Sequence, residues 1–135
     1  MKGRVLVVDD DAALSEMIGI MLRGEGFDPV FVADGDYAVQ AFRDTRPDLV
    51  LLDLMLPGPP GTEVFQSLRA RSDVPVIMLS AKDTDVDKAV GLELGADDYV
   101  TKPFSWHELA ERIQAVLHQN QRAGPGSRGR PPTAL

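Results

Sequence analysis

The chain has 135 residues, 44% of them apolar and 26% charged, with a formal net charge of −7. That is room for one ordinary domain, and it excludes a wholly disordered chain or a collagen-like fibre. The absence of cysteine excludes disulfide scaffolds, thiolate metal sites and thiol nucleophiles, and two histidines, His107 and His118, are too few for most histidine-rich metal sites.

Met1-Lys2-Gly3-Arg4 leads straight into Val5-Leu6-Val7-Val8 and three aspartates, with no signal-peptide pattern. No apolar run approaches the ~20 residues of a membrane helix. The expectation is a soluble cytoplasmic protein with no membrane partner. Short apolar runs at Val5–Val8, Pro29–Val32, Leu49–Leu52, Val76–Leu79 and Tyr99–Thr101 predict five strands. Three are nearly all apolar, as parallel strands buried on both faces should be.

Helical patterns lie between them. Leu14, Met17, Ile18, Met21 and Leu22 share a face, and Gly24 and Gly26 follow as a stop. A second helix is expected over 36–44, with Tyr37, Ala38, Ala41 and Phe42 inward. Val64, Phe65 and Leu68 mark a third, and Val86, Ala89, Val90 and Leu94 a fourth that ends at Gly95. Leu109, Ile113, Val116 and Leu117 mark a fifth, opened by Ser105-Trp106-His107-Glu108 with the spacing of a capping box. Five β-then-α units imply an α/β fold, a parallel sheet with helices on both sides.

Residues 1–120 read as the domain. Residues 121–135 hold three prolines, three glycines and no apolar periodicity, and read as a flexible linker or tail. The expectation is that something once followed this segment. Taking off its three arginines (Arg122, Arg128, Arg130) moves the net charge from −7 to −10 for residues 1–120. An acidic body is a poor match for a phosphate backbone.

In open α/β sheets ligands bind beyond the carboxyl ends of the strands. Asp9, Asp10 and Asp11 follow the first strand, Asp53 the third, Ser80 the fourth, and Lys102 and Pro103 the fifth. Asp10 or Asp11 could simply cap the first helix. Together, three acids, a hydroxyl and a lysine converge on one rim. Clustered carboxylates repel unless neutralised, and hard oxygen ligands suit Mg²⁺. A carboxylate nucleophile beside Mg²⁺ and a lysine suits phosphoryl transfer.

The strings VLVVDDD, DLVLLDLMLPGPPG, VPVIMLSAK and GADDYVTKPF, in this order, resemble the receiver domain of two-component response regulators over residues 4–119. The last is most similar to the OmpR/PhoB class, whose receivers precede a winged-helix DNA-binding domain. The resemblance implies a flavodoxin-like, doubly wound (βα)5 fold with strand order 2-1-3-4-5. It implies that Asp53 accepts a phosphoryl group from a sensor histidine kinase. Asp9, Asp10, Asp53 and the backbone carbonyl of Met55 would hold Mg²⁺. Lys102, before a cis Pro103, and Ser80 would contact the phosphoryl group, and Ser80 and Tyr99 would form the switch.

The same resemblance implies a homodimer face on the fourth helix, fifth strand and fifth helix. Lys88 with Glu108 and Asp98 with Arg112 would pair across it, around Ala89, Leu92 and Ala110. DNA would be bound only through the missing C-terminal domain. Asp97 in this class pairs with an arginine where this chain has Gln119, so one ion pair of the face should be missing. Pro59-Pro60 removes a side-chain cap from the third helix. Trp106 replaces a common proline and is expected to pack on the domain.

Neither Met55 nor Lys82 is suited to orient an attacking water, which implies slow self-dephosphorylation by a signalling domain that is not an enzyme. Other readings are a stand-alone receiver acting by protein binding or as a phosphorelay intermediate, a haloacid-dehalogenase-type phosphatase built on Asp9-Asp10-Asp11, and a flavodoxin. In the phosphatase reading Lys102 follows the acidic pair Asp97-Asp98 instead of preceding it, and Asp53 has no role. Three acids after the first strand would repel a flavin phosphate.

Overall fold

The computed structural model describes residues 2–56, 58, 59, 61–81 and 91–123. Five parallel strands, β1 (Gly3–Val8), β2 (Phe27–Val32), β3 (Leu49–Asp53), β4 (Val76–Ser80) and β5 (Asp98–Thr101), form one sheet in the order β2-β1-β3-β4-β5. Around it stand α1 (Ala12–Gly24), α2 (Ala38–Thr45), α3 (Gly61–Arg69) and α4 (Trp106–Ala123). Of the helix expected through Val86, Ala89, Val90 and Leu94, residues 82–90 lie outside the described set, while residues 91–93 are helical and stop before Gly95, whose φ is 111°; the expected fifth helix is numbered α4 here.

Alternation along each strand divides the core in two. Val5, Val7, Leu51 and Ile77 pack with Ile18 and Leu22 of α1 and with Leu109 and Ile113 of α4. Leu6, Val8, Leu52 and Met78 pack on the opposite face with Ala38 of α2 and with Val64, Phe65 and Leu68 of α3. Both faces are covered, which is why these strands read as unbroken apolar runs.

Two residues expected inside are outside. Tyr37 is 68% exposed, because Gly35–Tyr37 form a 3₁₀ turn and α2 begins only at Ala38. Met17 is 45% exposed, at the margin of the stripe that buries Ile18 and Leu22. The strands run one or two residues past the apolar runs. Asp53 and Ser80 are thus the last paired residues of β3 and β4, opposite Leu79 and Thr101.

The helix ends follow local chemistry. Asp11 caps α1, its Oδ1 accepting from the Leu14 amide at 3.0 Å. Ser105 caps α4, its Oγ accepting from the Glu108 amide at 2.9 Å. Gly26, with φ of 92°, closes α1 as its amide donates to the Arg23 carbonyl.

Gly61, the first residue of α3, lies against the chain that leaves β3. A Cβ there would stand 2.5 Å from Leu54 Cα and 2.8 Å from the Asp53 carbonyl oxygen. Gly24 has open space instead. Gly61→Ala is therefore expected to lower stability by about 1–3 kcal/mol through overpacking against backbone. Gly24→Ala should be neutral or gain up to ~1 kcal/mol. Urea unfolding of both variants checks the contrast.

Candidate functional site

The carboxyl ends of β1, β3, β4 and β5 meet on one rim. Asp9 directly follows β1, where its amide donates to the Val32 carbonyl at 3.0 Å, and Asp53 ends β3. Both are 3% exposed, whereas Asp10 is exposed. One carboxylate oxygen from each of Asp9, Asp10 and Asp53 lies within 4.8 Å of the others. Because Asp11 caps α1, Asp9 and Asp10 are left to the rim.

Each buried carboxylate is held at both oxygens. Asp9 Oδ1 accepts from the Asp11 amide at 2.9 Å, and Asp53 Oδ1 accepts from the Met55 amide at 2.9 Å. Lys102 Nζ spans the other two oxygens, 2.9 Å from Asp9 Oδ2 and 3.3 Å from Asp53 Oδ2. Lys102 is placed by β5: its amide donates to the Ser80 carbonyl at 2.8 Å, and its peptide to Pro103 is cis. Ser80 is fully buried at the end of β4. Tyr99 is buried in the α3-side core with Met78 and Ala96, and lies against Gly91.

The electrostatics follow. Burial is the largest influence on Asp53 and pushes its carboxyl up; the Asp9 charge adds to this, and the Met55 amide and Lys102 offset it only in part. Burial pulls the Lys102 ammonium down, but the bond to and charge of Asp9, then those of Asp53, outweigh it, and its pKa is raised.

The donor set fits a hard divalent cation. Three carboxylates with one shared lysine hold more negative than positive charge, and oxygen donors of this kind suit Mg²⁺. The Met55 side chain points to solvent, so only its backbone could join such a set. Among the described residues this is the one carboxylate group close enough to hold a metal ion.

The residues expected at a dimer face lie apart from the rim. Asp98, at the start of β5, takes both oxygens to Arg112 Nη1 at 2.7 and 2.9 Å, and Glu108 stands 3.4 Å from Arg112 Nε. These contacts lie within the one chain, whereas the expected pairing of Asp98 with Arg112 and of Lys88 with Glu108 concerns a second copy. Leu92 is exposed and Ala110 half-buried; Lys88 and Ala89 lie outside the described residues.

Asp97 turns into its own fold. It accepts from the Val76 amide at 2.8 Å and stands 3.7 Å from Arg69 Nη2. Arg69 also donates to the Ser72, Val74 and Gly95 carbonyls and lies over the Phe65 ring. In the sequence Arg69 carries no signal beyond being a basic residue in the last turn of α3. Gln119 is exposed. Trp106 packs edge-on against Phe104, with ring centroids 5.5 Å apart.

Comparison with known proteins agrees with this geometry. The model of the response regulator receiver domain matches residues 5–114. This chain belongs to that family. It is 58% identical over 120 residues to the DNA-binding response regulator MtrA of Mycobacterium tuberculosis, covering 89% of this chain and 53% of MtrA. It is 56% identical over 115 residues to the sensory transduction protein RegX3 of Mycolicibacterium smegmatis, covering 85% and 50%. The chain thus spans about half the length of the curated relatives it matches.

Among solved structures, the BeF3-activated N-terminal receiver domain of Klebsiella pneumoniae RstA superposes with a TM-score of 0.82 at 34% identity, covering 86% of this chain and 99% of that one. The receiver domain of the Francisella response regulator 1452 gives 0.83 at 34% identity, covering 87% and 98%. The strand order 2-1-3-4-5 is therefore that of the family. No helix among the described residues is long and apolar enough to cross a membrane.

A carboxyl with a raised pKa binds its proton more tightly in the folded chain. Its share of stability is full below the ordinary value of 3.8 and is lost as pH rises through the folded value. Asp53→Asn should therefore raise the metal-free Tm at pH 7, and the gain should shrink as pH falls toward 3.8. Thermal melts in EDTA across pH check this, and an unchanged or lower Tm at pH 7 would count against it.

Proposed function

We propose that this receiver takes a phosphoryl group on Asp53 from the phosphohistidine of a sensor histidine kinase. The observation that carries the reading is Lys102 Nζ set between the buried carboxylates of Asp9 and Asp53. A carboxylate oxygen of Asp53 attacks phosphorus as the phosphorus–nitrogen bond to the kinase imidazole breaks. The imidazole leaves with the electron pair and later takes up a proton.

Asp9, Asp10, Asp53 and the Met55 carbonyl would hold Mg²⁺, which when bound supplies neutralising charge for the phosphoryl oxygens. The Lys102 ammonium, already desolvated, exchanges its bond to Asp53 for one to a phosphoryl oxygen. Ser80 Oγ donates to another. Both changes act on the ends of β4 and β5, next to the buried Tyr99, so Ser80 and Tyr99 form the two-state element that phosphorylation biases.

Asp98, Glu108, Arg112, Leu92 and Ala110, with Lys88 and Ala89, would form the face through which two phosphorylated copies pair. The output is transcription regulation by a DNA-binding domain that follows in the whole protein, in the cytoplasm. The relatives' names and the half-length match support this reading. The domain acts as a signalling switch, and its self-dephosphorylation is slow, because Met55 and Lys82 offer no carboxylate or amide to orient water.

Intact mass after acetyl phosphate with Mg²⁺ should show one added phosphoryl group, lost without Mg²⁺ and in Asp53→Asn, and reduced in Asp9→Asn. An adduct that survives Asp53→Asn would move the nucleophile elsewhere. Met55→Glu should shorten the adduct's lifetime severalfold, read by the same mass assay over time. A wild-type adduct that decays as fast as this variant's would refute the slow-hydrolysis reading.

A further inference from the structure

Parallel strands put every αβ loop at the end of the sheet opposite the acidic rim. There, the last turn of α2 and the chain after α3 line a shallow, solvent-open groove of 540 Å³ bordered by Phe42, Arg43, Arg46, Pro47, Arg71 and Ser72. Three guanidinium groups on one groove are unexpected in a body that carries 21 acids. Elsewhere Arg4 faces Asp28, Arg69 Asp97 and Arg112 Asp98, and Arg23 lies over Phe31. Arg43, Arg46 and Arg71 face no carboxylate among the described residues.

Of the acids beside them in sequence, exposed Asp73 bears on Arg69 and forms no ion pair with the three. Asp44 accepts from Gln40 at 2.8 Å, and Asp48 accepts from the Arg4 amide at 2.8 Å. A helix C-terminus accounts for one basic residue by its dipole, and Arg71 does donate to the Ser67 carbonyl. Three cations with no carboxylate partner around one concavity exceed that need. Arg46 also holds φ of 48° at the end of α2, where glycine or asparagine is favoured. An arginine kept in that conformation is more costly than the cap requires.

We propose that this groove binds a small organic phosphate bearing at least two negative charges. Guanidinium groups match phosphate oxygens in pairs. The Ser72 Oγ accepts from the Val74 amide at 3.0 Å, which leaves its hydroxyl proton to donate. Phe42 and Pro47 give an apolar wall for the organic part. The site is remote from Asp53, so it works independently of the phosphoacceptor reading.

The test is titration of the whole 135-residue chain with pyrophosphate and, separately, with ADP, in EDTA, followed by amide NMR and calorimetry. Saturable shifts confined to residues 42–47 and 70–73 are expected, with tighter binding of ADP if the apolar wall contributes. Arg46→Gly, which suits the φ, and Arg43→Gln with Arg71→Gln should each weaken binding at least tenfold. Arg23→Gln removes the same charge elsewhere and should leave affinity within twofold. Thermal melts check that each variant folds. No saturation at millimolar ligand, equal loss in Arg23→Gln, or shifts centred on Lys102 would each overturn the proposal.

Discussion

Like charges packed at the ends of β1 and β3 set the terms for the rest of this molecule. Carboxylate oxygens of Asp9, Asp10 and Asp53 lie within 4.8 Å of one another, two of them on side chains almost fully buried. Such a group is stable only if something positive and something rigid hold it. The positive element is Lys102, which lies 93 residues from Asp9 and 49 from Asp53 in sequence. The rigid elements are the amides of Asp11 and Met55 and the strands behind them. Sheet order is what makes this possible, since β3 must lie beside β1, and β5 must end on the same rim.

The rim is joined to a remote surface by very little chain. β5 carries Lys102 just beyond one end and Asp98 at the other, and four residues of strand span only about 13 Å. Tyr99 and Val100 between them are core residues on opposite faces of the sheet. A shift of Lys102 or Ser80, as proposed on phosphorylation, would act on a strand whose other end is tied to α4 through Arg112 and to α3 through Asp97 and Arg69. Close packing leaves such a strand few intermediate positions, which suits an element with two states.

The two ends of the sheet hold their charges differently: the rim gathers carboxylates around one lysine, while at the other end Asp28, Asp97 and Asp98 each face an arginine. Acids gather where strands end because the turn into each helix offers backbone amides and a capping position to carboxylates. Arginines gather where helices end because helix C-termini and their free carbonyls favour cations. On α3 this is visible twice, in Arg69 tying carbonyls of the following loop and in Arg71 donating back to Ser67.

Much of this was legible in the residues alone. Unbroken apolar runs meant strands buried on both sides, and five of them alternating with amphipathic stretches meant a parallel sheet. Parallel strands end on one rim, so Asp9, Asp10, Asp53, Ser80 and Lys102 could be brought together on paper. Capping by Ser105 was readable from spacing, because a cap involves residues three apart. Contacts whose partners are set by packing were not readable. Tyr37 lay outside once the chain chose a 3₁₀ turn before α2. Asp97 turned to Arg69 and the Val76 amide. The physical reason is range: periodicity and capping are local and written in neighbouring residues. Ion-pair choice and groove composition depend on which distant side chains the folded core places a few ångströms apart.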